Sequence, residues 1–455
     1  MATIPRPVIF VSALIASSLL GDQALYVILP VAYPSLGLSP LSVGFLLSTN
    51  RWVRLFTNVP AAWLLGSKPI RQIFFIVLVV GSSCSLAYAA TTNLFLLLLA
   101  RAAWGSCWSI IRLAGLVTLT DVCEAGLAAE SSLGHLSGIH SGLSRIGSLV
   151  GLGLGGIGLD VLGFQAFFVL VGLLSLATSP LALGCAFGTL PKYSHTAVRR
   201  LEQLEQERLK GARCGALARC AAMSASEWRL AFLAFASTCA GQGMVMSTLG
   251  VLLAPGGARH QSDHEMVNLG MFGSAVPLAS ATGVILALRW LFEIGAAPLF
   301  GRLIDLVGQA IVCPLFFGLC ALNGAVGFWM LWGLEHAPAV AAEDASMLPL
   351  VVSVVCFFVV VSGADLSVNA QGVAQRQTTV LVIGSDLGAA VGPMLGYAIL
   401  QMRMPPSRIL LVQAVLHATA ACIGGCNSPC PCRRRRTAGR ERLRDGPVEV
   451  PVEEG

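Results

Sequence analysis

Twelve long apolar runs leave this chain few folds to choose from. They occupy residues 8–32, 41–65, 70–90, 94–119, 143–162, 166–187, 230–253, 277–300, 310–334, 348–370, 379–400 and 409–425. A helix needs about 20 apolar residues to cross the hydrocarbon core of a bilayer. In lipid each backbone N–H and C=O must be bonded within the protein, and a run of this length does so as a helix. The chain therefore reads as an all-α integral membrane protein of twelve transmembrane helices. Its charge content agrees: 11% of 455 residues are charged, where a soluble domain carries about 25%. The first run is not read as a cleaved signal, because it is long, lacks a small-residue cleavage site and carries Asp22 inside it.

A polar stretch divides the runs six and six. The segment 189–228 contains "TAVRRLEQLEQERLKGARCGALARC", which reads as a linker with an amphipathic surface helix. The predicted organisation is a six-helix bundle at 1–188, this linker at 189–228, a second bundle at 229–426, and a tail at 427–455, basic then acidic. The tail composition predicts disorder. Placing the N-terminus, linker and tail in the cytoplasm leaves Arg259, Arg403 and Arg408 as the basic residues outside, as the positive-inside rule requires. The expected location is the cell (plasma) membrane, with both termini cytoplasmic. Of the fourteen cysteines, most lie in the spans as small apolar residues. Cys426, Cys430 and Cys432 cluster near the tail at a spacing that fits no standard zinc pattern.

The two halves resemble each other. Span 2 begins its charged stretch with "RWVRLFTNVP" at Arg51, and span 8 with "RWLFEIGAAP" at Arg289, so that Pro60 falls on Pro298 at the same offset of 238. Span 5 carries Gly147, Gly151, Gly155 and Gly156, and span 11 carries Gly388, Gly392 and Gly396 with Pro393. These match at an offset of 241. Two pseudo-symmetric six-helix bundles in parallel repeat are a known plan for secondary transporters, with substrate handled near the midplane between them.

Four stretches sharpen this into a family resemblance. "GSLVGLGLGG" (147–156) is similar to the antiporter motif G-x3-G-P-x2-G-G of the major facilitator superfamily, with Leu152 in place of proline. "LLLARAAWG" resembles its fourth-span motif at Leu97, Arg101 and Gly105, with Trp104 for glutamine. "GRLIDLVGQ" resembles the loop motif G-x3-D-x2-G after span 8. The copy after span 2 has Trp63 and Ser67 where glycine and aspartate would fall, and keeps Lys68 and Arg71. The resemblance covers all twelve spans. It implies alternating access, with span 5 packing on span 8 of the other half when the outside is closed. It also implies that each cytoplasmic loop motif docks on a glycine-rich span of the opposite half when the inside is closed. Asp305 would then meet Arg145, and Lys68 would meet Asp386; the alternative is a static pair of Asp386 with Arg54. Glycines three and four apart share one helix face and let a neighbouring backbone approach closely.

Charges within the spans mark the interior, because they are expensive in lipid. Arg51, Arg54, Arg101, Arg112, Arg145 and Arg289 stand against Asp22, Glu293, Asp365 and Asp386, a balance of +2. Asp22 lies near the middle of span 1 with Tyr26 one turn on. Arg101 and Arg112 are eleven residues apart and return to nearly the same azimuth, with Trp104, Gly105 and Trp108 between them. The resemblance implies that spans 1 and 4 line a central cavity. The proton-coupling candidates are Asp22 with Arg101 and Arg112, then Asp365 and Glu293; a fixed structural pair is the other reading of Asp22. The cavity candidates are Tyr26, Arg51, Trp104, Trp108 and Arg289. The conformational-switch candidates are Gly147, Gly151, Gly155, Gly156, Lys68, Asp386, Arg145 and Asp305. Arginine grips carboxylate and phosphate through two parallel bonds, which tilts the expected substrate towards an organic anion or zwitterion.

No span shows a His/Asp/Glu cluster at metal-ligand spacing, and His135 and His140 fall in a loop without chemical partners. The chain is thus not expected to be an enzyme and calls for no metal, cofactor or nucleic acid. The expected function is a monomeric secondary transporter of a small organic solute, coupled to protons and exporting by antiport. A symporter or uniporter for a small anion, and a transporter-fold assembly factor or sensor, remain the alternatives.

Overall fold

The computed structural model describes residues 4–67, 70–124, 133–184, 223–254, 266–268, 275–338, 345–375 and 377–425. The linker helix, the basic tail, Lys68 and the Cys426/Cys430/Cys432 cluster lie outside the described residues.

Spans 1 to 4 are α1 (Arg6–Ala32), α2 (Pro40–Ser67), α3 (Ile70–Ala90) and α4 (Leu94–Glu124). Spans 5 and 6 form one long element, α5 (Leu133–Thr178), broken at Gly163, whose φ of 76° only glycine adopts without strain. A four-residue α6 (Leu181–Gly184) follows. Span 7 is α7 (Ala225–Thr238), a π-helical turn at Cys239–Val245, and α8 (Met246–Leu253). A short antiparallel hairpin, β1 (Met266–Asn268) with β2 (Ala275–Pro277), leads into span 8. Spans 8 to 12 are α9 (Leu278–Val307), α10 (Gln309–Glu335), α11 (Leu348–Ala374), α12 (Thr378–Gln401) and α13 (Ser407–Gly425).

Ten stretches are long and apolar enough to cross a membrane. One of them, Gly138–Leu183, holds two spans across the Gly163 break. Span 2 is not among the ten, since Arg51 and Arg54 depress its mean hydropathy, and it supplies the twelfth crossing. The chain is an all-α, multi-pass membrane protein. His135 and His140 correct the sequence reading: they lie in α5, not in a loop, and His140 Nδ1 meets Ser12 Oγ of span 1 at 2.8 Å.

Span 1 packs along α5, span 2 along span 4, and span 3 against span 4 and the span 6 part of α5, where Tyr88 meets Phe168. In the second half, span 7 packs along span 11, span 9 along span 12, and span 10 against 8 and 9. Two joints tie the halves together, span 5 with span 8 and span 2 with span 11. The turn from span 8 to span 9 is tight because Gly308, last glycine of the loop motif, takes φ 92° while its N–H bonds Ile304 O at 2.9 Å.

Candidate functional site

The two joints repeat one design. In the first, a Cβ on Gly283 of span 8 would press on Leu152 O of span 5 at 2.7 Å. In the second, a Cβ on Gly44 of span 2 would press on Pro393 O of span 11 at 3.2 Å. Gly44 and Gly283 are 239 positions apart, and Leu152 and Pro393 are 241 apart, so both contacts obey the sequence repeat. The far end of the bundle, opposite the start of α1, is closed by further bonds. Asp160 accepts the N–H of Ser280 at 3.0 Å and its hydroxyl, and Leu41 N–H reaches Gln401 Oε1 at 3.4 Å.

The span 5 glycines divide their work in a way the sequence did not foresee. Cβ atoms on Gly147, Gly151 and Gly155 would strike Ala16, Leu20 and Ala24, all on span 1 of the same half. Gly156 alone of the four faces span 8, where a Cβ would collide with the backbone of Ala279. Span 11 behaves alike: Gly388 and Gly392 receive the backbone of span 7.

Each joint also carries an ion pair, about 15 Å along span 2 or 8 from its glycine (ten residues at 1.5 Å each). Arg54 of span 2 pairs with Asp386 of span 11, and Arg145 of span 5 pairs with Glu293 of span 8 at 3.1 Å. Arg54 and Glu293 are related by the offset of 239, Arg145 and Asp386 by 241. The two pairs are therefore equivalent in position and reversed in sign. They differ in burial: Arg54 and Asp386 are 6% and 7% exposed, Arg145 and Glu293 37% and 25%. Arg145 also lies over the Trp290 ring at 4.4 Å. In this conformation Arg145 meets Glu293 rather than Asp305, which is exposed. Asp386 has the partner that was the alternative reading, Arg54.

Asp22 sits in a dense polar knot. It pairs with Arg101 of span 4, and it accepts Gln23 Nε2 at 3.0 Å and Asn50 Nδ2 at 3.4 Å. Arg101 is 1% exposed and also donates Nε–H to Leu46 O at 2.9 Å. Tyr26 fills the space beside it, its ring 6.0 Å from the guanidinium. Gln23, Asn50 and Leu46 were not foreseen, because nothing in the sequence tells which face of span 2 meets span 1. The tryptophans of span 4 depart from the expected cavity lining. Trp104 is buried against Gly81 of span 3 and stacks on Trp108 at 6.1 Å. Arg112 is exposed.

A second polar centre lies in the other half. Arg289 is 1% exposed and has no carboxylate within ion-pair distance among the described residues. Its Nη1 meets Met246 Sδ at 3.1 Å, its Nε has no partner, and it lies against the rings of Trp290 (5.1 Å) and Phe358 (5.5 Å). Asp365 of span 10 accepts the Ser237 hydroxyl at 2.5 Å. Ser237 and Met246 flank the π-helical turn of span 7, a distortion frequent at functional sites. From the first half, Arg51 keeps a buried Nε without a partner.

No curated protein sequence matches the chain. Solved structures do match in fold. The nucleoside transporter NupG aligns at 12% identity over 92% of this chain and 98% of its own, with a TM-score of 0.67. A bacterial homologue of the human lysosomal transporter Spinster, captured inward-facing and occupied, aligns at 13% identity over 97% and 98%, TM-score 0.64. A POT family transporter in complex with 5-aminolevulinic acid aligns at 13% over 92% and 94%, TM-score 0.64. The sequence model of the Major Facilitator Superfamily matches residues 11–393. A chain of twelve apolar spans in two repeated halves, matched over most of its length by that family, is a transporter rather than an enzyme and belongs to the Major Facilitator Superfamily.

Proposed function

We propose that the protein is a proton-coupled secondary transporter that moves a small organic solute by alternating access, with Asp365 as the acid that gains and loses the proton. One observation supports this choice of acid. Asp22 is neutralised by Arg101 and held by two amides, so protonating it would strand a buried guanidinium. Asp365 has a hydroxyl partner and no cation within ion-pair distance among the described residues. It can take a proton without unpairing a neighbour. The mirrored joints support rocking of two halves, and the basic linker and tail support a cytoplasmic location of both termini in the plasma membrane. The protein works as a monomer in this reading.

The test uses purified protein in proteoliposomes loaded with the pH dye pyranine and challenged with a panel of small carboxylates, amino acids, nucleosides and dipeptides. Wild type moves protons with at least one of them. Asp365→Asn stops the proton movement and keeps solute exchange. The sign of the dye response separates antiport, which the family resemblance implied, from cotransport. Proton movement that survives in Asp365→Asn places the coupling acid elsewhere. A wild type that moves no solute under any gradient leaves the assembly-factor or sensor reading in its place.

A further inference from the structure

Spans 2 and 8 begin on repeated positions and meet the same need in different ways. The first N–H groups of a helix have no partner within it, and the residue before the helix commonly offers an acceptor to the third. Span 2 does this for itself: Ser39 Oγ accepts the Ser42 N–H at 3.2 Å. The offset of 238 carries Ser39 onto Pro277 and Ser42 onto Ser280. Pro277 has no polar side chain, and span 8 has no side-chain cap of its own. The Ser280 N–H goes instead to Asp160 Oδ2 at 3.0 Å, and the Ser280 hydroxyl donates to the same oxygen. Asp160 belongs to the last turn of span 5, in the opposite half, just before the break at Gly163.

The equivalent contact at the other joint is weaker. The offset of 241 carries Asp160 onto Gln401, which accepts the Leu41 N–H at 3.4 Å. Gln401 is neutral, its bond is long, and span 2 keeps Ser39 as its cap when that bond is lost. A carboxylate at a helix N-terminus gains further from the helix dipole. We propose that Asp160 is the outer latch of the transport cycle: it caps span 8 from the other half, and the outside opens only as that cap is given up. This role rests on the alternating-access reading with cytoplasmic termini, which puts this end of the bundle outside. It adds the residue that sets how often that end opens.

The surroundings let this contact act on each half as a whole. Gly156, one turn before Asp160, leaves room for the backbone of Ala279 and Ser280, so the carboxylate is delivered onto a close backbone crossing. Among the described residues no cation pairs with Asp160, which leaves the start of span 8 as its partner. On the other side, β2 runs directly into span 8 and pairs with β1, whose Asn268 accepts the Met347 N–H just before span 10 at 2.8 Å. The start of span 8 is thereby tied to its own half. The inner end of the joints carries the ion pairs Arg54–Asp386 and Arg145–Glu293, and the outer end carries Asp160.

Double electron–electron resonance on the full-length protein in nanodiscs tests this, with unnatural amino acid labels at the exposed Val161 of span 5 and Val352 of span 10. Asp160→Ala raises the long-distance population about 2–30-fold, the worth of one N-cap as a population ratio. Asp160→Asn keeps an acceptor and stays nearer wild type. Gln401→Ala shifts the population less than Asp160→Ala. Pro277→Ser gives span 8 the cap that span 2 has, and its effect changes sign with Asp160. With Asp160 present it raises the open population, because the cap no longer has to come from the other half. In Asp160→Ala it lowers that population, because the Ser280 N–H is again satisfied in the closed state. A general loosening would raise it in both backgrounds. An unmoved distribution in Asp160→Ala overturns the latch, as does a shift in Gln401→Ala as large as that in Asp160→Ala. No rise with Pro277→Ser alone, or a rise in both backgrounds, overturns it too. The distances need no solute, so latch and transport are decided separately. An unmoved distribution sinks the latch even where the liposome panel finds transport, and a shifted one supports it even where the panel finds none.

Discussion

Asp386→Asn is expected to separate spans 2 and 11 at the end where the chain begins. In this conformation Arg54 and Asp386 are nearly inaccessible, and Arg54 Nε has no other partner. Removing one partner of a buried ion pair costs about 3–5 kcal/mol, because a desolvated charge is left behind. That cost falls on the joined state alone. In the separated state water reaches Arg54, and the lost partner matters little. At about 1.4 kcal/mol per tenfold, the separated state gains about 10²- to 10⁴-fold in relative population. Glu293→Gln removes the equivalent pair of the other joint, but that pair is 37% and 25% exposed. A pair open to solvent is worth about 0.2–1 kcal/mol, a shift of at most about fivefold. Mirrored positions should thus give very unequal responses. Double electron–electron resonance between labels at Ala62 and Val380 measures the separation; unnatural amino acids carry the labels, which spares the fourteen native cysteines. The charge exchange Arg54→Asp with Asp386→Arg should return the short distance. An unchanged distribution in Asp386→Asn, or a larger shift in Glu293→Gln, refutes the reasoning.

Asp22→Asn should lower the thermal unfolding temperature of the purified protein by the equivalent of about 3–5 kcal/mol, since Arg101 loses its counter-charge. Asp365→Asn should stay near wild type, because an amide oxygen still accepts the Ser237 hydroxyl; equal losses would contradict the division between a structural and a titrating acid. Gly156→Ala should cost about 1–3 kcal/mol by overpacking the joint against Ala279, whereas Gly153→Ala, whose Cβ would sit 3.6 Å from that of Ala287, should be tolerated. Matching melting curves for the two glycine variants would show that the joint yields.

The architecture was legible because lipid is an unforgiving solvent. Backbone groups must be bonded and side chains apolar over a fixed length, so the apolar runs announced the helices. The offsets near 240 announced the repeat before any coordinate was known. The same offsets locate the joints: Gly44 with Gly283, Leu152 with Pro393. Sequence also marked Asp22, Arg54, Arg101, Arg289 and Asp386, which are buried, because a charge is too costly to face lipid, whereas Arg112 of the same set is exposed.

Partnership was what only the tertiary structure decided. Arg145 had Asp305 as its expected mate and meets Glu293. That outcome depends on how span 5 is rotated against span 8, which is set by Gly156 and Gly283 meeting backbone. Trp104 looked inward on a helical wheel and fills the notch at Gly81 instead. Three of the four span 5 glycines serve span 1, a neighbour that no motif names. Helix periodicity fixes which residues share a face, but the neighbour of that face is chosen by close packing among all twelve spans. An ion pair forms only where that packing brings two charges within reach.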